Sequence, residues 1–356
     1  MTPLCKIGVL TFHRCINYGS YWQARCLVEG LRTRGHDAVL VDYYSWRMNL
    51  AEWQCGLWPV LPTPVPPQDY LFYSVKMLKF WCAIAALPRS PRFTLERPAT
   101  MEKFDLVVVG SDEVWNLRHP WYGGCPLFFG TGVQAPRLIS YAASFGNYDA
   151  SEGLAQPWAN RLRAFAALSV RDGNSQRLIQ TALGLTPDLV LDPCLQFLPR
   201  AEGRWRGPRG PFVAVYGHNF SEAFSRKVQC WARSRATPLV SIGYRNDWAD
   251  VQWITADPHD FAHSMARAEA VATNFFHGCI FALRHARPFV CELSPYRSTK
   301  VQCLLTEVGG AKHLVSADTP AATYGTSLSE PLDPGMLQKI AGLRRTSEDY
   351  LTKALG

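Results

Sequence analysis

Apolar runs alternate with polar, helix-periodic stretches along most of this chain, and that alternation marks out its elements. Lys6–Leu10, Ala38–Tyr43, Phe104–Gly110 (FDLVVVG) and Leu138–Ala142 read as strands. FDLVVVG is a continuous β-branched run rather than an alternating one, which suits a parallel sheet covered on both faces. Helical stretches lie between them, near Ser20–Arg34, near Ser151–Ala166 and from Arg171-Asp172 to about Leu183, with short strands at Leu168–Val170 and Leu189–Leu191. The rhythm restarts with a strand at Phe212–Gly217, a helix near Ser221–Arg235, a strand at Leu239–Gly243 and a helix near Pro258–Arg267. Next come a strand at Ala270–Thr273, a helix starting near Gly278, a strand at Pro288–Leu293 and a last helix, Pro334–Ala354.

Strands that alternate with helices predict open α/β domains. We expect a first Rossmann-like domain over 1–200 and a second over 211–330, with 331–356 packing back across the first. The Gly-, Pro- and Arg-rich stretch Ala201–Pro211 reads as the linker, and a cleft between two such domains is a default ligand site. An aromatic and proline-rich insertion, about 45–100, interrupts the first domain. It holds the apolar segment Leu71–Leu87, which is too short for a membrane span and carries Lys76 and Lys79. One reading buries this helix against the protein. The other rests it on a membrane surface with its lysines toward lipid headgroups.

Composition narrows the picture. At 356 residues, with 47% hydrophobic and 19% charged residues, the chain is long enough for two globular domains. The formal charge of +8 suits anionic partners, but the basic residues are scattered and no run exceeds Arg344-Arg345, so no nucleic-acid groove is expected. The eleven cysteines are dispersed without a C-x-x-C pair, which points to reduced thiols and away from zinc. The start, MTPLCKIGVLTF, runs straight into a strand with no visible secretory leader. The expected location is therefore cytoplasmic, with membrane association under the second reading of the apolar helix.

Candidate chemistry sits in the loops that follow strands. His277 and Gly278 lie where a strand hands over to a helix, an edge where open sheets bind ligands and where helix N–H groups suit an anion. The alternative for His277 is a satisfied core histidine. The first loop lacks a dinucleotide fingerprint, yet Asn17, Gly19 and Ser20 suit a turn that delivers N–H groups to a ligand; equally, they shape the turn and cap the helix. Ser111 and Asp112 follow FDLVVVG as either hydroxyl binders or a loop cap. Arg171 is either a fork for carboxylate or phosphate or the partner of Asp172 or another acid. His218 and Asn219 face a ligand or form a surface loop. Asp192-Pro193 reads as a turn, and Lys300, taken alone, as surface ending a loop.

The ordered set of Asn17-Tyr18-Gly19-Ser20, GSDEVWN at Gly110–Asn116, SYAASFG at Ser140–Gly146 and SVRD at Ser169–Asp172 resembles the polysaccharide pyruvyl transferase family. LDP at Leu191–Pro193, TNFFHGCIFAL at Thr273–Leu283 and a downstream Lys300 complete the likeness, which spans about Lys6 to Lys300. The chain departs from it at Asn274-Phe275-Phe276 and at Glu113. The resemblance implies a GT-B-like fold: two Rossmann-like domains facing a cleft, with a C-terminal helix crossing back. It also implies transfer of a carboxyethylidene group from phosphoenolpyruvate to a sugar or lipid-linked oligosaccharide, forming a ketal, with no metal or nucleotide cofactor.

On that implication His277, Asp112 and Arg171 are catalytic. Asn17, Tyr18, Gly19, Ser20, Ser111, Asp172, His218, Asn219, Gly278 and Lys300 bind substrate. A lipid-linked acceptor would bring the protein to the inner membrane face. The alternative activity is a glycosyltransferase that uses a nucleotide sugar.

Overall fold

Val107, Val108 and Val109 are each 0% exposed, as the β-branched run requires of a central parallel strand. The computed structural model describes residues 5–62, 64–293 and 298–356. The first four residues of the N-terminal reading, Thr63 of the proline group and residues 294–297 of the loop before Lys300 lie outside the described residues.

The chain forms β1 (Lys6–Leu10), α1 (Tyr18–Arg32), β2 (Asp37–Leu40), β3 (Tyr43–Tyr44), α2 (Trp46–Leu57) and α3 (Asp69–Ala85). Then come β4 (Phe93–Thr94), β5 (Leu106–Val109), β6 (Arg137–Ser140), α4 (Gln156–Leu162), β7 (Ser169–Val170), α5 (Gly173–Leu183), β8 (Asp188–Leu189) and α6 (Pro193–Gln196). Next are β9 (Val213–Tyr216), α7 (Glu222–Ser234), β10 (Leu239–Ile242), β11 (Val251–Trp253), α8 (Pro258–Arg267), β12 (Ala270–Thr273) and α9 (Phe276–Arg284). The chain ends with β13 (Phe289–Glu292), α10 (Ser298–Glu307), β14 (Leu314–Val315), α11 (Ala321–Ser329) and α12 (Pro334–Leu355).

Two units result, each α/β with a parallel sheet. The first comprises Met1–Glu52, Ala86–Pro199 and Ala341–Gly356. Its sheet runs β2-β1-β5-β6, with Val9 opposite both Leu40 and Val108 and with Val109 opposite Ser140. Because all four strands are parallel, the loops that follow them gather at one edge. Under that edge Trp115, Phe128 and Phe145 fill the core, and the Trp115 indole donates to Phe128 O at 2.8 Å. Gly30 of α1 has no alternative: a Cβ there would stand 2.4 Å from the Phe197 ring. The closing segment of α12 belongs to this unit, as the returning helix was expected to. Tyr350 donates to Ser140 O at 2.5 Å, Ser347 Oγ accepts from Leu191 N at 2.8 Å, and Arg344 donates to Leu195 O.

The second unit comprises Trp53–Ala85 and Arg200–Ile340, with sheet order β11-β10-β9-β12-β13-β14, again parallel. The expectation that residues 45–100 stay with the first domain is therefore corrected: Trp53–Ala85, including α3, belongs to the second unit. Side chains of α3 hold it there. Lys76 Nζ donates to Gly243 O at 2.7 Å, Lys79 Nζ donates to Thr255 O at 2.7 Å, Tyr73 Oη accepts from Arg245 N at 3.1 Å, and Asp69 pairs with Arg245 at 2.8 Å. The lysines thus bond to protein, which corrects the reading that points them toward lipid. Tyr70, Leu71, Phe72, Leu78 and Trp81 are the large apolar residues of α3 turned to solvent. No helix among the described residues is long and apolar enough to cross a membrane.

Candidate functional site

At the strand-end edge of the first unit, Asn17 caps α1 by accepting from Ser20 N at 3.1 Å, so its side chain is committed to the turn. Tyr18, Gly19 and Ser20 form the buried first turn of α1. The cap aims Ser20 outward from the helix, and its Oγ donates to Asp112 Oδ2 at 2.8 Å. Asp112 follows β5 with φ 72, in the left-handed region that aspartate tolerates better than most residues. Gly110, just before it, has φ +113, and a Cβ there would meet Tyr141 O at 2.3 Å.

Asp112 Oδ1 accepts from Glu113 N at 2.9 Å and from Arg171 at 3.3 Å. The other arm of Arg171 donates to Asp192 Oδ2 at 2.9 Å, and Ser111 Oγ reaches the same oxygen at 3.5 Å. Thr11 Oγ1 donates to Ser111 O at 2.9 Å. Burial works against the charge of Arg171, but Asp112 and Asp192 outweigh it and raise its pKa.

Ser20, Ser111, Asp112 and Arg171 therefore converge. Two expectations change. Asp172 is occupied, accepting from Ser175 N and Ser144 Oγ at 2.7 Å each as the cap of α5. Arg171 does not present an open fork, because each terminal nitrogen already serves a carboxylate. One guanidinium lies against two carboxylates, so this cluster is net negative and ill suited to hold an anion by itself. Asp192, read from sequence as a turn, is the second of those carboxylates. It also caps α6 by accepting from Cys194 N at 2.9 Å.

In the second unit the corresponding edge is aromatic. The His218 ring lies 5.1 Å from Tyr244 and 5.2 Å, edge-on, from Phe275. Asn274 donates to His218 O at 2.7 Å, which orders the backbone after β9. Gly217 has φ +146, and a Cβ there would stand 2.2 Å from Asn274 Oδ1. Asn219 is exposed, with φ 59, and donates to Val60 O at 3.1 Å, so it holds the insertion rather than joining His218.

His277 is half-buried in the first turn of α9, whose N-cap residue, Phe275, supplies no side-chain hydrogen bond. The helix begins at Phe276, two residues from the Gly278 near which it was expected. Gly278 is needed for packing: a Cβ would lie 2.0 Å from Thr273 Oγ1, which donates to Tyr216 O. Lys300 lies in the first turn of α10, correcting its expected place at the end of a loop.

A family model, described as polysaccharide pyruvyl transferase, matches residues 17–292 and so takes in both edges. The chain belongs to the polysaccharide pyruvyl transferase family. Members of that family act on polysaccharides as transferases, and the anticipated membership is thereby met. No curated protein matches the sequence.

Among solved structures, a glycotransferase of kitacinnamycin is similar at 13% identity and TM-score 0.47, covering 99% of this chain and 98% of its own. The glycosyltransferase SnogD from Streptomyces nogalater follows at 13% and 0.44, covering 98% and 96%. A UDP-GlcNAc 2-epimerase from Neisseria meningitidis stands at 10% and 0.43, covering 98% and 93%. Likenesses at this level say nothing about the activity of this pyruvyl transferase family member.

Proposed function

We propose that this protein transfers a pyruvyl group from phosphoenolpyruvate to two hydroxyls of a sugar, forming a cyclic ketal and releasing phosphate. The observation that carries this reading is Asp112, in a chain of this family, fixed between Ser20 Oγ and Arg171 where the loops of a parallel sheet gather. A carboxylate so restrained is oriented to take a proton from an attacking hydroxyl.

The chemistry needs three events. The methylene carbon of the donor gains a proton, a sugar hydroxyl gives up its proton and bonds to the adjacent carbon, and the C–O bond to phosphate breaks as the second hydroxyl closes the ring, its proton leaving with the phosphate. Asp112 is assigned the hydroxyl proton, and Arg171 is a positioning residue that aims Asp112. His277 is assigned the proton delivered to carbon, since an imidazole can both accept and donate a proton. Gly278 and Lys300 remain candidates for contact with the donor, and His218 with the sugar. The acceptor is expected to be a precursor of a surface or exported polysaccharide, made in the cytoplasm.

The test is to incubate purified protein with phosphoenolpyruvate and a panel of sugars, following phosphate release and the ketal methyl signal by NMR. Stoichiometric phosphate and ketal are expected. Nucleotide release from a nucleotide sugar, with phosphoenolpyruvate untouched, would overturn the reading.

A further inference from the structure

The loops after β1 and β2, with the segment between α3 and β4, carry a charge imbalance opposite to that at Arg171. Asp42, just beyond β2, is nearly buried, and three guanidiniums converge on it. Arg14 Nε donates to Oδ1 at 2.9 Å, Arg89 donates to Oδ2 at 3.2 Å, and Arg92 Nε lies 3.7 Å from Oδ2. His13 Nε2 reaches Oδ1 at 3.0 Å, while its Nδ1 faces Thr11 O at 3.2 Å. Burial lowers the pKa of His13 against the pull of Asp42. Three guanidiniums thus face this one carboxylate.

Arg14 and Arg89 hydrogen-bond Asp42, whereas Arg92 stands beyond hydrogen-bond distance of it. The arginines also differ in access. The Arg14 and Arg89 side chains are 14% and 21% exposed, whereas Arg92 is 57% exposed and lies over the Tyr44 ring at 5.6 Å. The group is thus anchored from below by Asp42 and open on one side. Planar guanidiniums converging at a strand-end edge match the oxygens of a phosphate. Such a cluster also concentrates anions from solution.

We infer that Arg14, Arg89 and Arg92 form a phosphate-ester site distinct from the Asp112–Arg171 centre. β1 lies between β2 and β5, so the loops bearing Asp42 and Asp112 are two strand spacings apart, about 10 Å. A substrate with its reacting carbon at Asp112 and a phosphate about a sugar ring away spans that gap. The His13–Thr11–Ser111 hydrogen bonds link the two places within one unit. The shared chemistry is a phosphate ester, carried either by the donor or by a phosphorylated acceptor. Only this choice of carrier rests on the pyruvyl-transfer reading.

Calorimetric titration of the full-length protein with inorganic pyrophosphate tests the site without turnover. Wild type is expected to bind it. Arg92→Gln, at the most exposed position, is expected to weaken binding about tenfold. Asp42→Asn removes the opposing charge and should tighten binding in the variant that remains folded by circular dichroism. Arginines that serve only to neutralise Asp42 would show no such gain. Repeating the Arg92→Gln titration with phosphoenolpyruvate and with a sugar 1-phosphate assigns the carrier, because the weakened ligand brings the phosphate.

Unchanged pyrophosphate affinity in Arg92→Gln, no heat with wild type, or no weakening of either substrate overturns the site. Pyrophosphate binding by a protein that makes no ketal removes the pyruvyl-transfer reading and leaves the site standing. Ketal formation without pyrophosphate binding does the reverse.

Discussion

Ser20 Oγ donates to Asp112 Oδ2 at 2.8 Å, tying the first turn of α1 to the loop after β5 across 92 residues of sequence. Neither residue holds this place alone. Asn17 sets the turn that aims Ser20, and the left-handed backbone at Asp112 turns its carboxyl toward it.

Asp112→Asn keeps the shape and removes the base. The rate of phosphoenolpyruvate-dependent phosphate release is expected to fall about 10²-fold or more. Ser20→Ala should cost less, because Arg171 still restrains the carboxylate. Equal losses in the two variants would count against Asp112 as the base.

His277→Ala should also lose about 10²-fold in rate while its melting profile stays near that of wild type. Retention of more than about a tenth of the rate would remove His277 from proton transfer.

Arg171 is a stability residue as much as a positioning one. Its replacement by Met leaves Asp112 and Asp192 facing each other in a buried setting, and breaking a buried pair costs about 3–5 kcal/mol. Chemical denaturation followed by circular dichroism should show unfolding at a lower denaturant concentration. Lysine at 171 should restore part of the loss, since it brings the charge without the two-armed geometry.

Asp42 predicts how the first unit responds to acid. Burial raises its pKa, but His13 and Arg14 overcome this and hold it at about 2, against an ordinary 3.8. A carboxyl whose pKa is lower in the folded chain stabilises fully above the unfolded value and loses that contribution as pH falls from about 4 to about 2. The amount is about 2 kcal/mol. Melting temperatures between pH 5 and 2 should fall more steeply for wild type than for Asp42→Asn.

Lys76 predicts the opposite end of the scale for the second unit. Burial pushes it down to about 7 from 10.5. The unfolded chain then holds this proton up to about pH 10.5 and the folded chain only to about 7. Stability should therefore rise with pH across that interval, where the unfolded state binds more protons. Lys76→Met should flatten the rise. An identical slope in the variant would mean that Lys76 keeps its proton, stabilised by Gly243 O and the Tyr244 ring 4.2 Å away.

Much of this was legible in local pattern. FDLVVVG announces a covered strand, Asn17 and Ser20 a capped helix, and the stretch from Pro258 a helix that the structure keeps. Distant pairings were not legible. Nothing near Lys76 in sequence names Gly243, 167 residues on, so the helix carrying it was assigned to the wrong unit. Arg171 advertised a charge but not that Asp112 and Asp192 would both claim it. The Asp42 group is drawn from residues 13 to 92, and each member alone is an ordinary surface or loop residue. Gly278 was noticed for its lack of a side chain, but the neighbour that requires this, Thr273, emerges only from the strand-to-helix geometry.

The first unit is assembled from three separate pieces of chain, the last beginning at Ala341. During synthesis its sheet can form early, yet the hydroxyl of Tyr350 that meets Ser140 O is translated 210 residues later. The unit that starts first is thus finished last, after the second has been made in full. A chain cut before Ala341 lacks the side chains that bond Ser140, Leu191 and Leu195, so the loss falls on the unit begun first.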